Sequence, residues 1–383
     1  MDYIKLKDVC TINMGQSPDS DSYNENGNGV PFFQGNADFG ERYPVTRKWC
    51  SAPTKMAAPE DILISVRAPI GAMNYANEEC CIGRGLAALT PNREKVSPEY
   101  IFWLLKGKNA ELNSKGTGST FKAIGRNILE ETLVPDISLE KQTECSIILE
   151  KTYKVISSRK QQLQKLDELV KARFVEMFGD PVVNEKGWDM PLIEDVAAPK
   201  KNALKAGPFG SALKKEYYVE SGYKVYGQEQ VISGDHTFGD YYIDEERYKS
   251  LENYAVHAGD VLISLVGTYG KLLIMPDVFE PGIINPRLMK ITFDKGKVNP
   301  NYFQYFFQSD SLKSALADNT HGGTMDILNL GIVRKIAMPL PPLELQNQFA
   351  IFVEQVGKSK VAIQKALVEA QLLFDSLMQK YFG

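Results

Sequence analysis

Side chains that could support acid–base, metal or cofactor chemistry are few in this sequence and unevenly placed. The histidines all lie in the second half of the chain: His236, His257 and His321. The segment GRGLAA at 83–88 has the glycine spacing of a dinucleotide-binding turn, but no long helix follows it. GTGST at 116–120 lacks the lysine of a phosphate-binding loop. LPPLE at 340–344 lacks the Asn or Asp that precedes the prolines in amino-methyltransferases. The residues therefore predict neither a catalytic site nor a metal site.

Polar loops at comparable positions in the two halves suit a different chemistry. Gln, Asn, Arg and Lys can contact base edges in the major groove, and Gly lets the backbone come close to a phosphate. The alternative is that these loops are ordinary solvated surface. The candidate DNA contacts in the first half are Gln34, Asn36, Arg67, Arg84, Lys115, Thr120, Lys122 and Arg126. Those in the second half are Ser211, Lys214, Lys215, Gln228, Gln230, Tyr269, Lys271, Arg287, His321 and Thr324.

The elements that must position these loops occur twice along the chain. LVPDISLEKQ at 133–142 and AMPLPPLELQ at 337–346 place Pro and Leu-Glu-x-Gln at the same intervals, half a chain apart. Upstream of them, EDILIS at 60–65 resembles GDVLIS at 259–264, and VSPEYI at 96–101 resembles VNPNYF at 298–303. Several matches in one order indicate a duplicated unit, here a tandem pair of domains.

Each copy contains two kinds of sequence. Residues 1–138 and 180–342 are rich in Gly, Pro, Asn and aromatic residues, with short apolar runs between turns, which predicts mixed α/β globules. Residues 139–179 and 343–383 contain many Leu, Glu, Gln, Lys and Ala residues, which favour helix. The fold class predicted is therefore α/β (α+β), a tandem repeat in which each globule is followed by one long helix.

Apolar residues at seven-residue intervals indicate that the two long helices form an antiparallel coiled coil. The alternative is that each helix lies on its own globule, for which we expect a wider apolar stripe. Antiparallel pairing predicts a rod of about 60 Å, at 1.5 Å per residue, with an approximate two-fold axis. The predicted seam contains Leu149, Ile156, Leu163, Val170, Met177, Val353, Ile363, Leu367, Phe374 and Leu377.

Composition narrows the class of protein. The net charge is −4, so any nucleic-acid binding must use local basic patches or share phosphate contacts with a partner. Five cysteines without a C-x-x-C pattern favour reduced thiols over a disulfide framework or zinc site, which predicts a cytoplasmic protein. The sequence has no run of 18 apolar residues, and MDYIKLKDVC is not typical of a signal peptide, so no membrane association is expected.

These motifs, in this order and twice, resemble the specificity (S) subunits of type I restriction–modification systems. The resemblance rests on GPFGSALKKEYYVESGYKVYGQ at 207–228, GDVLISLVGTYGK at 259–271, INPRLMKI at 284–291, and PLPPLELQNQF at 339–349 with its twin VPDISLEKQ. It covers essentially the whole chain. The first copy departs from the pattern where SVRAPIG and GRGLAAL replace the usual segments, so its DNA-facing loops are less sharply defined.

The resemblance implies two target-recognition domains, 1–138 and 180–342, each followed by a conserved helix, 139–179 and 343–383. It implies a subunit without catalytic residues, metal or cofactor of its own, which binds an asymmetric bipartite sequence in double-stranded DNA. Two modification subunits would bind S-adenosylmethionine and methylate adenine, and endonuclease subunits would join them for restriction. The alternatives are a self-sufficient DNA methyltransferase or nuclease, and a scaffold protein with no role on DNA.

Overall fold

The computed structural model describes residues 2–118, 122–209, 212–265, 270–318 and 328–383. The chain divides into two compact units. Unit 1 comprises Met1–Gln161 and Gln364–Gly383, and unit 2 comprises Gln162–Ile363. Each unit therefore contains one globular region together with part of each long helix. Among the described residues, no helix combines the length and apolar character needed to cross a membrane.

The strands of unit 1 form two main sheets and one small one. The strands are β1 Tyr3–Lys5, β2 Cys10–Met14, β3 Tyr23–Asn24, β4 Val30–Phe33, β5 Trp49–Cys50, β6 Met56–Ala57, β7 Ile62–Ser65, β8 Met73–Tyr75, β9 Cys80–Ile82, β10 Leu86–Pro91 and β11 Leu133–Pro135. The antiparallel sheet has the order β2-β10-β7-β8, and the second sheet has the order β3-β5-β4-β9-β6 with β4 and β9 parallel. Strands β1 and β11 pair separately.

The short helices of unit 1 lie between and after these strands. They are α1 Leu6–Val9, α2 Pro98–Gly107, α3 Asn109–Ser114 and α4 Arg126–Glu130. Helix α2 begins where its sequence predicts, because the Ser97 hydroxyl accepts a hydrogen bond from the Tyr100 amide and Pro98 occupies the first turn. Its buried face then contributes Tyr100, Trp103 and Leu104 to the core.

Unit 2 repeats the arrangement of the sheets. Its strands are β12 Leu204–Ala206, β13 Tyr223–Tyr226, β14 Tyr242–Ile243, β15 Val261–Ser264, β16 Leu272–Ile274, β17 Gly282–Ile284 and β18 Leu288–Ile291. The antiparallel sheet β12-β18-β15-β16 corresponds to β2-β10-β7-β8, and the parallel pair β13–β17 corresponds to β4–β9. The tandem repeat and the mixed α/β fold class predicted from the sequence are confirmed.

The helices of unit 2 also follow the order of the first copy. They are α6 Gln228–Ser233, α7 Glu245–Ser250, α8 Pro300–Phe307, α9 Asp310–Asp318 and α10 Leu330–Arg334. Helix α8 corresponds to α2, since Asn299 caps it as Ser97 caps α2, and Pro300 again lies in the first turn. The similar segments VSPEYI and VNPNYF therefore encode the same capped helix start.

Two helices of 40 residues, α5 Leu139–Phe178 and α11 Leu343–Phe382, follow the globular regions. Helix α5 is followed by Gly179, which has a left-handed backbone with φ of 79° and whose amide donates to the Val175 carbonyl at 2.8 Å. Glycine adopts this conformation without a steric penalty, which is why it commonly terminates helices. The Trp188 indole N–H also donates to the Phe178 carbonyl at 2.9 Å.

The repeated glutamine of the Leu-Glu-x-Gln motif anchors the first turn of each long helix. In unit 1, the buried Gln142 accepts from the Ser97 amide at 2.9 Å and donates to the Ile137 carbonyl at 2.9 Å. In unit 2, the buried Gln346 accepts from the Asn299 amide at 2.9 Å and donates to the Pro341 carbonyl at 2.8 Å. The motif that first revealed the duplication thus fixes each long helix to the capped end of α2 or α8.

In unit 1, both long helices contribute to the core of the globular region. The Trp103 ring lies 5.4 Å from Tyr153 of α5 and 5.7 Å from Phe374 of α11, between ring centroids. The Tyr100 ring, one turn earlier in α2, lies 5.4 Å from Phe382. Helix α5 starts beside Ser97 and passes Trp103, whereas α11 passes Trp103 first and ends beside Tyr100. The two helices are therefore antiparallel in this unit.

Unit 2 has the same antiparallel pairing. The Lys360 ammonium of α11 contacts the Asp167 carboxylate of α5 at 2.6 Å, and the Phe178 and Phe349 ring centroids lie 5.5 Å apart. Lys360 interrupts one of the apolar heptad rows of the sequence, and this ion pair explains how the position accepts a charge. The Phe349 side chain is buried with Tyr302 of α8 in the same apolar cluster.

The seam residues predicted from the heptads are buried or half-buried. Leu149, Ile156 and Phe374 belong to the core of unit 1, and Val170 belongs to that of unit 2. Leu367 and Leu377 pack against the first core, and Met177 and Val353 pack against the second. Leu163 and Ile363 are half-buried.

The sequence left two alternatives for the long helices, a coiled coil or packing of each helix on its own globule. In each unit of the structure, the long helices pack both on each other and on the globular region. The aromatic residues Phe174, Phe178, Phe349 and Phe382 fill the space between helices and globules, and the heptad pattern did not single them out. The domain boundaries at 138, 179 and 342 stay predictions. A seam that continues along the full length of both helices also stays a prediction.

Candidate nucleic-acid interface

The loops that carry the candidate residues in unit 2 meet at one edge of its antiparallel sheet. The Gly207 amide, after β12, donates to the Leu288 carbonyl at 2.8 Å. The Asn285 amide, after β17, donates to the Tyr226 carbonyl at 2.9 Å. The Leu265 amide, after β15, donates to the Arg287 carbonyl at 2.9 Å. These backbone bonds join four chain segments that are far apart in sequence into one surface.

Unit 1 assembles its loops with the same set of backbone hydrogen bonds. The Gly15 amide donates to the Leu86 carbonyl at 2.9 Å, the Gly83 amide to the Phe33 carbonyl at 2.8 Å, and the Val66 amide to the Gly85 carbonyl at 2.9 Å. The equivalence extends further, since Ile124 donates to Val66 as Leu328 donates to Leu265. We call this arrangement the loop frame, and each unit has one.

On the loop frame of unit 2, three side chains form a hydrogen-bonded chain from the interior to the surface. The Ser264 side chain is buried, and its hydroxyl accepts from the Gln228 side-chain amide at 2.8 Å. The Gln228 side-chain oxygen accepts from the Arg287 guanidinium at 3.4 Å. Arg287 itself is exposed. The structure thus brings together two of the residues predicted from sequence, Gln228 and Arg287.

The lysines predicted in unit 2 are exposed on nearby segments. Lys271 follows the β15–β16 connection, where its carbonyl accepts from the Ser264 amide at 3.2 Å. Lys214 and Lys215 lie after β12, and the Lys214 ammonium is 3.5 Å from the Glu216 carboxylate. Such exposed ion pairs contribute little energy, so Lys214 can exchange its partner for a phosphate.

Gln230 corrects one prediction. Its side chain is 1% exposed, its oxygen accepts from the Gly227 amide at 2.8 Å, and its nitrogen donates to the Phe238 carbonyl at 2.6 Å. A buried amide with both ends bonded to the backbone holds the loop in place and has no face for a base. The residue type suggested base contact, but burial assigns Gln230 a structural role.

Four basic candidates of unit 1 divide into two pairs. Arg67 and Lys122 lie on adjacent segments, because the Ala68 amide donates to the Lys122 carbonyl at 3.0 Å, and both side chains are exposed. Lys115 and Arg126 are exposed but bond within their own segments, Lys115 to Glu111 at 2.6 Å and Arg126 to Glu130 at 2.8 Å.

A polar groove of about 340 Å³ adjoins the loop frame of unit 1. Gln34 and Asn36 line it together with Arg47 and Lys48, two exposed cations that were not predicted from the sequence. The Arg47 guanidinium donates to the Ala37 carbonyl at 3.1 Å, which holds the segment beside the groove. In the sequence, these two residues could have been recognised as a basic pair immediately before a strand.

Arg84 is exposed between Gly83 and Gly85, on the same frame, and its amide lies 3.4 Å from the Ser17 hydroxyl. Five further candidates lie outside the described residues: Thr120, Ser211, Tyr269, His321 and Thr324.

Buried ionisable groups hold the turns that precede two of the central strands. In unit 2, the Lys290 ammonium lies 3.5 Å from the Asp260 carboxylate, and both side chains are almost fully buried. Burial lowers the pKa of Lys290, and the Asp260 charge opposes that change. Asp260 also accepts from the His257 amide at 2.9 Å, as Asp61 of unit 1 accepts from the Ala58 amide at 2.8 Å. These groups stabilise the turns before β15 and β7.

The cysteines have no reactive surroundings. All five are buried, and burial raises the pKa values of Cys10, Cys80 and Cys145 to about 12 each. Thiols with such pKa values stay protonated near neutrality and are poor nucleophiles. Cys80 and Cys81 lie side by side in the buried strand β9. In the part of the chain that the structure describes, no group of three or more His, Cys, Asp or Glu residues could hold a metal ion.

Two equivalent frames that present amide and cationic side chains, on a tandem α/β fold, suit a protein that selects DNA sequences. The sequence model of the type I restriction modification DNA specificity domain matches residues 1–168 and again residues 186–372. The chain therefore belongs to the type I restriction–modification DNA specificity family.

Individual relatives agree with this assignment. A putative type I restriction enzyme MjaX specificity subunit from Methanocaldococcus jannaschii is 41% identical over 160 residues, which is 42% of this chain and 38% of that protein. The type I restriction enzyme MjaIX specificity subunit from the same organism is 20% identical over 99% of this chain and 92% of its own length. The crystal structure of a type I restriction–modification S subunit from M. genitalium shares the fold, with a TM-score of 0.60 over 100% of this chain and 96% of the other, at 13% identity.

Proposed function

We propose that this chain selects the DNA sequence on which a type I restriction–modification complex acts. Each unit binds one part of a split target in double-stranded DNA. The observation that carries the proposal is the pair of loop frames, which share their backbone hydrogen bonds but display different side chains. Because the displayed residues differ, the two parts of the target differ, and the full target is asymmetric.

The chemistry of the displayed residues supports duplex DNA as the ligand. Arginine can make bidentate contacts with guanine in the major groove, and glutamine can make them with adenine. Exposed lysines beside them supply contacts with phosphates, which position a protein on DNA without selecting a sequence. For contacts with bases, unit 1 offers Gln34, Arg67 and Arg84, and unit 2 offers Gln228 and Arg287.

The catalytic steps belong to partner subunits in this proposal. Two modification subunits bind S-adenosylmethionine and methylate adenine, and endonuclease subunits join for restriction. This chain binds no cofactor and neither methylates nor cuts DNA by itself. Its net charge of −4 suits such an assembly, because partner subunits can share the contacts with phosphates.

The test is to map methylated adenines in a host that expresses this chain together with its partner methyltransferase subunits. We expect methylation at one asymmetric, two-part sequence with a fixed unread gap, and none when this chain is omitted. The same methylation without this chain would contradict the proposal. So would methyl transfer by the purified chain alone with labelled S-adenosylmethionine, or a complex that binds all DNA sequences equally.

A further inference from the structure

We propose that Arg287 recognises a guanine in the part of the target bound by unit 2, and that Gln228 and Ser264 are the positioning residues that aim it. The inference deepens the proposed function and rests on it. It starts from the chain of hydrogen bonds that runs from the buried Ser264 through Gln228 to the exposed Arg287.

The Ser264 hydroxyl and the Arg287 guanidinium together determine which way the Gln228 amide faces, because the guanidinium can only donate. The amide nitrogen of Gln228 donates to this hydroxyl at 2.8 Å, so the amide oxygen is directed to the other side. That oxygen then accepts from one terminal nitrogen of the Arg287 guanidinium at 3.4 Å. A flipped amide would place its N–H₂ group against the guanidinium, where two donors would meet. The network therefore selects one amide orientation and one direction for the arginine fork.

The Arg287 backbone is held by two hydrogen bonds, both shorter than the 3.4 Å contact of its side chain. Its amide donates to the Asn285 side-chain oxygen at 2.9 Å, and its carbonyl accepts from the Leu265 amide at 2.9 Å. Within the described ranges, Gln228 is the only hydrogen-bond partner of the guanidinium. Most of its five N–H donors thus stay available for a ligand.

A fixed fork of N–H donors matches guanine, which presents O6 and N7 as adjacent acceptors in the major groove. A phosphate contact would not require this degree of preorganisation, because an exposed lysine or a flexible arginine supplies it. Holding the side chain before binding lowers the entropy that is lost on binding. We therefore assign Arg287 to base recognition rather than to the backbone of the DNA.

The described residues of unit 1 hold no equivalent of this arginine. Gly85 occupies the position of Arg287, and a Cβ atom there would lie 2.4 Å from the Gln34 carbonyl oxygen. Ser65 is buried like Ser264, and its hydroxyl donates to the Pro69 carbonyl. The contribution of Arg287 is therefore specific to one part of the target, and Arg84 provides a matched control from the frame of unit 1.

The experiment uses the complex with its partner methyltransferase subunits and duplexes that carry the mapped target. Each guanine is replaced in turn by 7-deazaguanine, which lacks the N7 acceptor, and affinities are measured by competition. We expect the wild-type complex to lose affinity at one guanine of one half-site. Arg287→Ala and Arg287→Lys should lower discrimination at that base pair by about 5- to 150-fold and become insensitive to the 7-deaza change.

The positioning residues require a different readout. Gln228→Ala should weaken discrimination at the same base pair less than Arg287→Ala does, and should leave the salt dependence of binding unchanged. Arg84→Ala should leave that base pair unaffected. If Arg287→Ala prevents folding, Arg287→Lys and the 7-deaza series on the wild type still decide the matter.

Three results would overturn the inference. The first is a uniform loss of affinity for all duplexes with a salt slope lower by about one, which marks a phosphate contact. The second is discrimination that Arg287→Lys leaves intact, and the third is a target without a guanine sensitive to 7-deaza substitution. A wild-type complex without sequence preference would instead contradict the proposed function itself.

Discussion

The two loop frames of this protein share a scaffold and differ in what they display. In unit 2, Tyr226 at the end of β13 is followed directly by Gly227 and Gln228, and Arg287 extends from the neighbouring segment. In unit 1, Phe33 at the end of β4 is followed by an additional residue, Gln34, before the equivalent Gly35. The backbone of Gln34 occupies the space that a side chain at position 85 would need.

This difference shows how one frame can present different surfaces. The additional residue Gln34 places main chain where unit 2 has an arginine side chain. The frame bonds stay the same, because Phe33 and Tyr226 accept equivalent hydrogen bonds and Val66 and Leu265 donate equivalent ones. The sheets beneath can remain constant because the exchange takes place beyond the ends of their strands. Loops tolerate such changes far better than the elements they connect.

The largest effect should come from lengthening both long helices, which should change the gap between the two half-sites but not the half-site sequences. Adding four helical residues between 161 and 162, with four more between 363 and 364, lengthens both helices by about 6 Å. We expect methylation of the original target to stop and both half-site sequences to reappear with a different gap. Methylation mapping is the measurement, and changed half-site letters with an unchanged gap would contradict the separation of the two roles.

The shared core of unit 1 offers the next largest effect. Phe374→Ala removes a buried ring that contacts Trp103 and Tyr153, and it should cost about 3–5 kcal/mol in the free energy of unfolding. The matched control is Leu373→Ala, one position earlier and 54% exposed, which should change stability by less than about 0.5 kcal/mol. Chemical denaturation measures both variants. Equal effects would mean that α11 does not pack on the globular region.

The repeated glutamines should have similar, intermediate effects. Gln142→Leu or Gln346→Leu leaves a partly buried backbone amide and a backbone carbonyl without these partners, which costs about 1–3 kcal/mol. Gln348→Leu, on an exposed face of α11, is the control and should be nearly neutral. Denaturation midpoints give the comparison. A large effect for one glutamine and none for the other would show that the two copies use the motif differently.

The smallest changes in stability should accompany single exposed side chains on the frames. Arg67→Ala should alter base preference in the half-site of unit 1 alone, by about 1–3 kcal/mol. Lys214→Ala, which removes a phosphate contact, should instead weaken binding to all duplexes alike. Arg93→Ala, which lies beyond the other end of β10 and pairs with Glu60, should affect neither. Competition binding with single-base variants of the target measures these effects. A loss of both half-site preferences from one substitution would contradict independent units.

Local features of the chain determined the architecture. Strands β7 and β15 coincide with DILIS and DVLIS, and the long helices coincide with the stretches of helix-forming residues, because periodicity and propensity are properties of neighbouring residues. The repeat itself was visible without a structure. It predicted the correspondence of the sheets, since similar segments in the same order adopt similar folds.

Contacts between distant residues were decided only by the tertiary structure. The sequence marked Gln142 as repeated, but its bond to Ser97 joins positions 45 residues apart. Gln228 and Gln230 have the same side chain, yet one lies on the path from Ser264 to Arg287 and the other is buried in the loop. Residue type states which bonds a side chain can make, whereas burial and the positions of its neighbours determine which of them it makes.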